Sequence, residues 1–272
     1  MTQPASSSPD ASAFVAINKL TKKFGQKVAV NEVDLMLAKG ETMAIIGPSA
    51  AGKSVLMKCL VGIYGADKGT IHLNGDDVTN SNAPTRPDWA EKIGMLFQQN
   101  ALFDSLSVWE NICFRQIELG TLNRKDARDR AIELLGLVGL APESADLKPS
   151  DLSGGMQKRV GIARAISSDP EILLLDNPTA GLDPVLSNHI ELMIAKIAEK
   201  RGTTVISITN DMHIARTRYQ NLTMMYDGKV YWSGKTSEID DAHNAHLTQM
   251  LDGSSQGPIT MRTGKREDGV YA

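Results

Sequence analysis

The stretch Gly47-Pro48-Ser49-Ala50-Ala51-Gly52-Lys53-Ser54 decides how the rest of this chain is read. It satisfies G-x-x-x-x-G-K-S/T, and it stands between the apolar run Thr42 to Ile46 and a hydrophobic run that predicts a helix starting near Ser54. Strand, loop, helix is the context this pattern needs, because N–H groups of the loop and of the helix N-terminus then converge on phosphate oxygens. Lys53 adds a point charge toward the outer phosphates, and the Ser54 hydroxyl is placed to ligate Mg2+. Ala50 and Ala51 occupy the centre of the loop, so a position there that prefers φ > 0 carries a small strain.

On either side of the loop, short β-rich segments alternate with longer helical ones. Phe14 to Leu20, Val33 to Leu37 and Gly69 to Asn74 flank it, and strands return at Ile172 to Leu175, Thr203 to Ile208, Thr223 to Tyr226 and Lys229 to Trp232. Strands interleaved with helices predict an α/β fold whose mostly parallel sheet is covered on its faces. Asn74-Gly75-Asp76-Asp77 reads as a hairpin turn and adds an antiparallel β layer. From Ser107 to about Ser168 the strand signal lapses, and Ala127 to Leu137 and Gln157 to Ile166 carry apolar residues at helical spacing. That block, about residues 105–168, reads as an inserted α-helical subdomain within a domain spanning 13–251.

The 272 residues are ample for a core, and 42% hydrophobic with 22% charged residues excludes a disordered or collagen-like chain. Lys and Arg number 29 against 32 Asp and Glu, a net charge of −3 that argues against nucleic acid as a partner. Cys59 and Cys113 are far apart with no further ligand at metal spacing, so neither a disulfide scaffold nor a zinc site is expected and a reducing cytoplasm fits best. Met1 to Ser12 lacks the charge and apolar pattern of a secretory signal and reads as a flexible leader, while 252–272 reads as a tail or an arm for a neighbour. The apolar runs are far shorter than the ~20 residues needed to cross a bilayer, so any membrane span is supplied by another chain.

Ile172-Leu173-Leu174-Leu175-Asp176 is an apolar strand ending in a carboxylate, the second half expected of a Mg2+–phosphate site. Leu152-Ser153-Gly154-Gly155-Met156-Gln157, some 20 residues earlier, closely resembles the LSGGQ signature of ABC-type ATPases. A helix N-cap Ser followed by glycines is also plain capping chemistry, and in that family the same capped N-terminus faces the γ-phosphate bound by the opposite subunit. Phe24 resembles the aromatic that stacks on adenine, Gln98 the Q-loop glutamine that also approaches Mg2+, and Ala180-Gly181-Leu182-Asp183 the D-loop. The resemblance spans residues 14–235 and implies a P-loop, RecA-like fold that binds ATP with Mg2+. In it Phe24, Gly47 to Ser54, Gln98 and Asp176 of one copy are closed over by Ser153 to Met156 of another.

Within that family, Gln99 to Val108 with Glu110-Asn111, Ser207 to Met212, and Gln256-Gly257-Pro258-Ile259 resemble the ATPases of bacterial Mla/Mce-type phospholipid transporters. This implies a homodimer or paired ABC subunit on the cytoplasmic face of the inner membrane. An integral permease, a lipid-binding Mce protein and a STAS-domain subunit are the implied partners. Two positions depart from the family. Asn177 stands where a Glu polarises the attacking water, and Asn210 stands where a His contacts the γ-phosphate. An amide cannot hold the proton, so hydrolysis is expected to be slow while binding survives. Three readings stay open: a degenerate half with a competent partner, a form altered to trap ATP, or an active enzyme with a substitute. His213, three residues beyond Asn210, could be that substitute and more simply reads as a helix-face residue; His72, His189, His243 and His246 match no motif and read as surface residues.

Overall fold

The computed structural model describes residues 13–79, 87–98 and 101–260; the 1–12 leader and the tail beyond Thr260 lie outside them. In chain order the elements are β1 (Val15–Phe24), β2 (Lys27–Leu37), β3 (Thr42–Ile46), α1 (Lys53–Leu60), β4 (Lys68–Leu73), β5 (Asp76–Asp77), α2 (Pro87–Lys92) and β6 (Ile93–Leu96). After these come α3 (Val108–Ile112), α4 (Phe114–Glu118), α5 (Arg124–Leu137), α6 (Gly154–Ala165), β7 (Ile172–Asp176), α7 (Pro184–Arg201) and β8 (Thr204–Ile208). The last are α8 (Met212–Arg218), β9 (Asn221–Tyr226), β10 (Lys229–Lys235) and α9 (Ala245–Asp252).

Two sheets carry the fold. The six-stranded one runs β10-β9-β3-β8-β7-β6, with every pair parallel except β10 on β9; the four-stranded one runs β2-β1-β4-β5 and is antiparallel throughout. The interior strands β3, β7 and β8 are buried along almost their whole length, as apolar strands covered on both faces must be. One core packs α3, α5, α6, α7 and α8 onto the parallel sheet through residues such as Ile112, Leu134, Val160, Ile190 and Leu173. The other lies between the two sheets, where Leu56 and Met57 of α1 meet Ile17, Leu20 and Ile71. The expected α/β architecture, antiparallel layer and helical block are all present.

The turn Asn74-Gly75 joins β4 to β5 with both residues at positive φ, 50° and 85°, as a two-residue hairpin demands. α6 begins at Gly154, ahead of the expected Gln157, because Ser153 caps it and the two glycines conceal its first turn from a periodicity reading. β1 and β2 extend to Phe24 and from Lys27, lengthened by polar residues that face solvent at the hairpin. α9 was not expected, and two histidines read as surface residues are half-buried: His72 in β4, and His246 stacked 4.2 Å from the ring of Tyr231.

β6 presses its backbone onto the end of α6, so that a Cβ at Gly94 would lie 1.9 Å from the carbonyl oxygen of Ala165. Gly94→Val should therefore cost about 2–3 kcal/mol, read as a lower urea midpoint at unchanged slope.

Candidate functional site

The site follows from strand register. In the parallel sheet Ile45 of β3 stands level with Ile208 of β8, which stands level with Asp176 of β7, so the loops leaving these strands open at one edge. Backbone bonds carry the pairing past the strand ends: Asn177 N–H donates to the Ile208 carbonyl at 3.0 Å, and Thr209 N–H to that of Ile45 at 3.3 Å. A pocket of about 340 Å³ results, lined by Lys27, Ala29, residues Ser49 to Val55, Gln98, Asn177 and Asn210.

The loop from Gly47 to Gly52 can close only with glycine at its ends. A Cβ at Gly47 would meet the Met225 carbonyl oxygen at 2.0 Å and one at Gly52 the Ala29 oxygen at 2.3 Å, at φ values of 144° and 101°. Ala50 does take positive φ, 62°, the strained position anticipated at the loop centre. α1 has neither a side-chain cap nor an acidic residue in its first turn, which leaves its amino end as a donor array.

Lys53 is buried, and its Nζ donates to the carbonyls of Gly47 at 2.7 Å and Pro48 at 2.9 Å. Burial brings its ammonium down to about 8, partly opposed by the charge of Asp176. Asp176, itself buried, accepts from Asn177 Nδ2 on Oδ1 at 3.0 Å. Asn177 adopts φ 52°, in the left-handed region, and lines the pocket.

Among the described residues no cluster of three or more His, Cys, Asp or Glu could hold a metal ion. Ser54, Asp176 and Gln98 supply a hydroxyl, a carboxylate and an amide, hard oxygen donors that fit Mg2+ bound jointly with phosphates rather than in a protein cage. Held by these donors, Mg2+ would supply positive charge against that of the phosphates.

Thus Ser49 to Ser54, Gln98, Asn177 and Asn210 come together, with Asp176 beneath them and Gly47 and Pro48 bonded to Lys53. Phe24 and Ser153 to Met156 do not line this pocket. Phe24 sits exposed at the β1–β2 hairpin, its ring edge-on to Tyr64 at 5.1 Å. Ser153 accepts from Met156 N–H at 3.3 Å and caps an α6 N-terminus free of acidic residues. His213 lies exposed on the first turn of α8, outside the pocket.

One contributor escaped the sequence reading. Lys158 of α6 is buried and donates to the Gln98 carbonyl and to the Asn177 carbonyl, each at 3.2 Å, tying the helix behind the signature to both loops. Its only signal was a basic residue among the buried positions of α6. The segment after Gln98 is held by another buried residue: Asn111 accepts from Phe103 N–H and donates to the carbonyls of Phe103, Leu106 and Ser107, leaving the Phe103 ring exposed.

A phosphate loop at the edge of a parallel sheet, an opposed apolar strand ending in Asp, and a second capped helix N-terminus define a nucleotide-binding cassette. The ABC transporter family model matches residues 30–180, and the chain belongs to that family as an ATP-binding motor subunit. It is 34% identical, over 93% of its length and 70% of the relative's, to "Probable ribonucleotide transport ATP-binding protein mkl" of Mycobacterium tuberculosis. Over 92% of its length and 76% of the relative's it is 33% identical to "Protein TRIGALACTOSYLDIACYLGLYCEROL 3, chloroplastic" of Arabidopsis thaliana. Its fold matches the ATP-binding cassette MJ0796, solved as a dimer in a post-hydrolysis state with ADP and Pi, at a TM-score of 0.76 and 32% identity, covering 82% of this chain and 98% of that one. Such cassettes act as dimers with membrane permeases.

A Lys53 that must be an ammonium to hold phosphate, with burial bringing it down to about 8 in the free chain, sets the sign of a pH effect. ATP affinity should be level below that value and fall about tenfold per pH unit above it, measured by calorimetry; Lys53→Met should bind far more weakly and lose the slope.

Proposed function

We propose that this chain binds ATP between two copies, or between itself and a paired cassette, and hydrolyses it slowly to drive phospholipid movement at the bacterial inner membrane. The observation that carries the reading is the pocket in which Lys53, Ser54, Gln98, Asn177 and Asn210 meet while Ser153 to Met156 lie outside it. A phosphate held by α1 has its outer face open, and the Ser153-capped N-terminus of α6 from a second copy supplies the missing donors.

In this reading the Lys53 ammonium and the loop N–H groups hold the phosphates, while Phe24 packs against adenine. Ser54, Asp176 and Gln98 orient Mg2+, and Asn210 donates a hydrogen bond to the γ-phosphate. Closure follows from binding, since the donors of both copies are satisfied only together, and loss of the γ-phosphate releases it. Asn177 stands where a proton acceptor is needed and offers an amide whose nitrogen is bonded to Asp176. Without a general base the chemical step should lose about 10²–10⁴ in rate, which lengthens the closed state. The two amides, Asn177 and Asn210, equally favour a hydrolysis-deficient ATP-dependent switch or the degenerate half of a heterodimer.

The phospholipid cargo, with an Mce-type lipid-binding protein and a STAS-domain subunit as partners, rests on the resemblance of Gln99 to Val108 with Glu110-Asn111, Ser207 to Met212, and Gln256 to Ile259. The name of the Arabidopsis relative is that of a glycolipid, while the mycobacterial relative's name gives a ribonucleotide. No helix among the described residues is long and apolar enough to cross a membrane, so a separate permease would meet the exposed Phe103 segment beside Gln98 from the cytoplasmic face.

ATP turnover of the reconstituted complex tests the chemistry. The Asn177→Glu, Asn210→His double variant should turn over ~10²-fold faster or more. Equal turnover before and after the change would remove Asn177 from the water-activating position.

A further inference from the structure

Glu191 of α7 is a carboxylic acid that the nucleotide chemistry does not use, and it is 1% exposed. Its Oε2 accepts from the Tyr219 hydroxyl at 2.9 Å, while Oε1 is buried with no partner. Beside the same phenol stands Ser207 of β8, fully buried with it. A carboxylate so deep with one orphaned oxygen is costly, whereas the neutral acid carries no charge to desolvate there. Burial accordingly raises the Glu191 carboxyl to about 7; the Tyr219 hydroxyl pulls it down, Asp211 pushes it up, and Arg218 pulls it down. Tyr219, Asp211 and Arg218 from the α8 segment and Ser207 from β8 are the titratable and polar groups around it, and Arg218 is drawn to α7 by a 2.8 Å bond to Asn188.

These groups belong to the segment that carries Asn210. Ser207 lies in β8, three residues before Asn210, and Asp211 follows Asn210 and caps α8 by accepting from Ile214 N–H at 3.0 Å. A charge on Glu191 adds a desolvation cost as long as α8 stays packed over α7, and so favours their separation. We infer that Glu191 is a positioning residue for Asn210: buried and neutral, it lets α8 and the Thr209–Asp211 segment leading into it stay packed on α7, and on ionising it loosens that segment. The role of Asn210 itself rests on the reading proposed above, whereas the brace does not depend on nucleotide.

Amide hydrogen exchange of the nucleotide-free full chain, corrected for the intrinsic pH effect, separates the two. Protection of Thr209 to Ile214 in the unaltered chain should fall about tenfold between about pH 6 and about pH 8, because the closed state binds a proton there that the opened state releases. In Glu191→Gln, an uncharged isostere, protection at pH 8 should equal that at pH 6. Tyr219→Phe removes a hydrogen bond that favours the carboxylate and should move the midpoint upward. If E191Q loses protection as the unaltered chain does, or if the Y219F midpoint stays in place, the inference fails; the second variant decides alone should E191Q not fold. Single-turnover hydrolysis should follow the same pH course, with kcat rather than KM affected. Protection that responds to pH beside turnover that does not would sustain the brace and overturn the assignment of Asn210.

Discussion

The parallel pairing of β3, β8 and β7 sets Ile45, Ile208 and Asp176 level, and the whole phosphate end depends on that register. A slip of one residue in β8 would turn Ser207 out of the interior and carry Asn210 away from the loop at Gly47 to Ser54. The strands can hold the register because they are apolar on both faces and lie between two cores, so misalignment would expose side chains on each side at once. Two close approaches sharpen it. The Met225 carbonyl sits where a side chain at Gly47 would be, and the Ala29 carbonyl where one at Gly52 would be, so β9 and β2 clamp the loop from its two ends.

Charge is organised around this frame. Two buried lysines, Lys53 from the phosphate loop and Lys158 from α6, face the buried carboxylate of Asp176, and burial lowers both ammonium groups. Each spends hydrogen bonds on backbone carbonyls: Lys53 on its own loop, Lys158 on Gln98 and Asn177. Lys158 thereby links the helix that Ser153 caps with the Gln98 and Asn177 loops at the pocket. A movement of α6 must break or carry along those two bonds, which gives the helical block a physical handle on the pocket.

How far this was legible varied with how local each signal is. The phosphate loop, the Asp at the end of β7 and the N-cap at Ser153 are each written in fewer than ten consecutive residues, and their spacing supplied the order of the site. The direction of β10 was also written locally and went unread: Asp227-Gly228, at φ 47° and 78°, is a hairpin turn between β9 and β10. Lys158 and Glu191 were not legible, because a charged residue in an amphipathic helix reads as solvated until its partners are known. Those partners, Gln98 and Asn177 for one and Tyr219 for the other, lie 19 to 60 positions away. α9 lay too close to the Gly-Ser-rich stretch after Asp252 to stand out as a helix.

The central claim is that one copy's phosphate loop and another copy's α6 N-terminus make a single site. A mixing experiment tests it most directly: Lys53→Ala and Ser153→Arg chains are combined, and ATP-dependent dimers with retained nucleotide are measured by sedimentation and filtration. Neither variant alone should trap ATP, and the mixture should, because a mixed dimer keeps one site with both Lys53 and Ser153 intact. A mixture that traps no more than its separate parts would contradict the composite site.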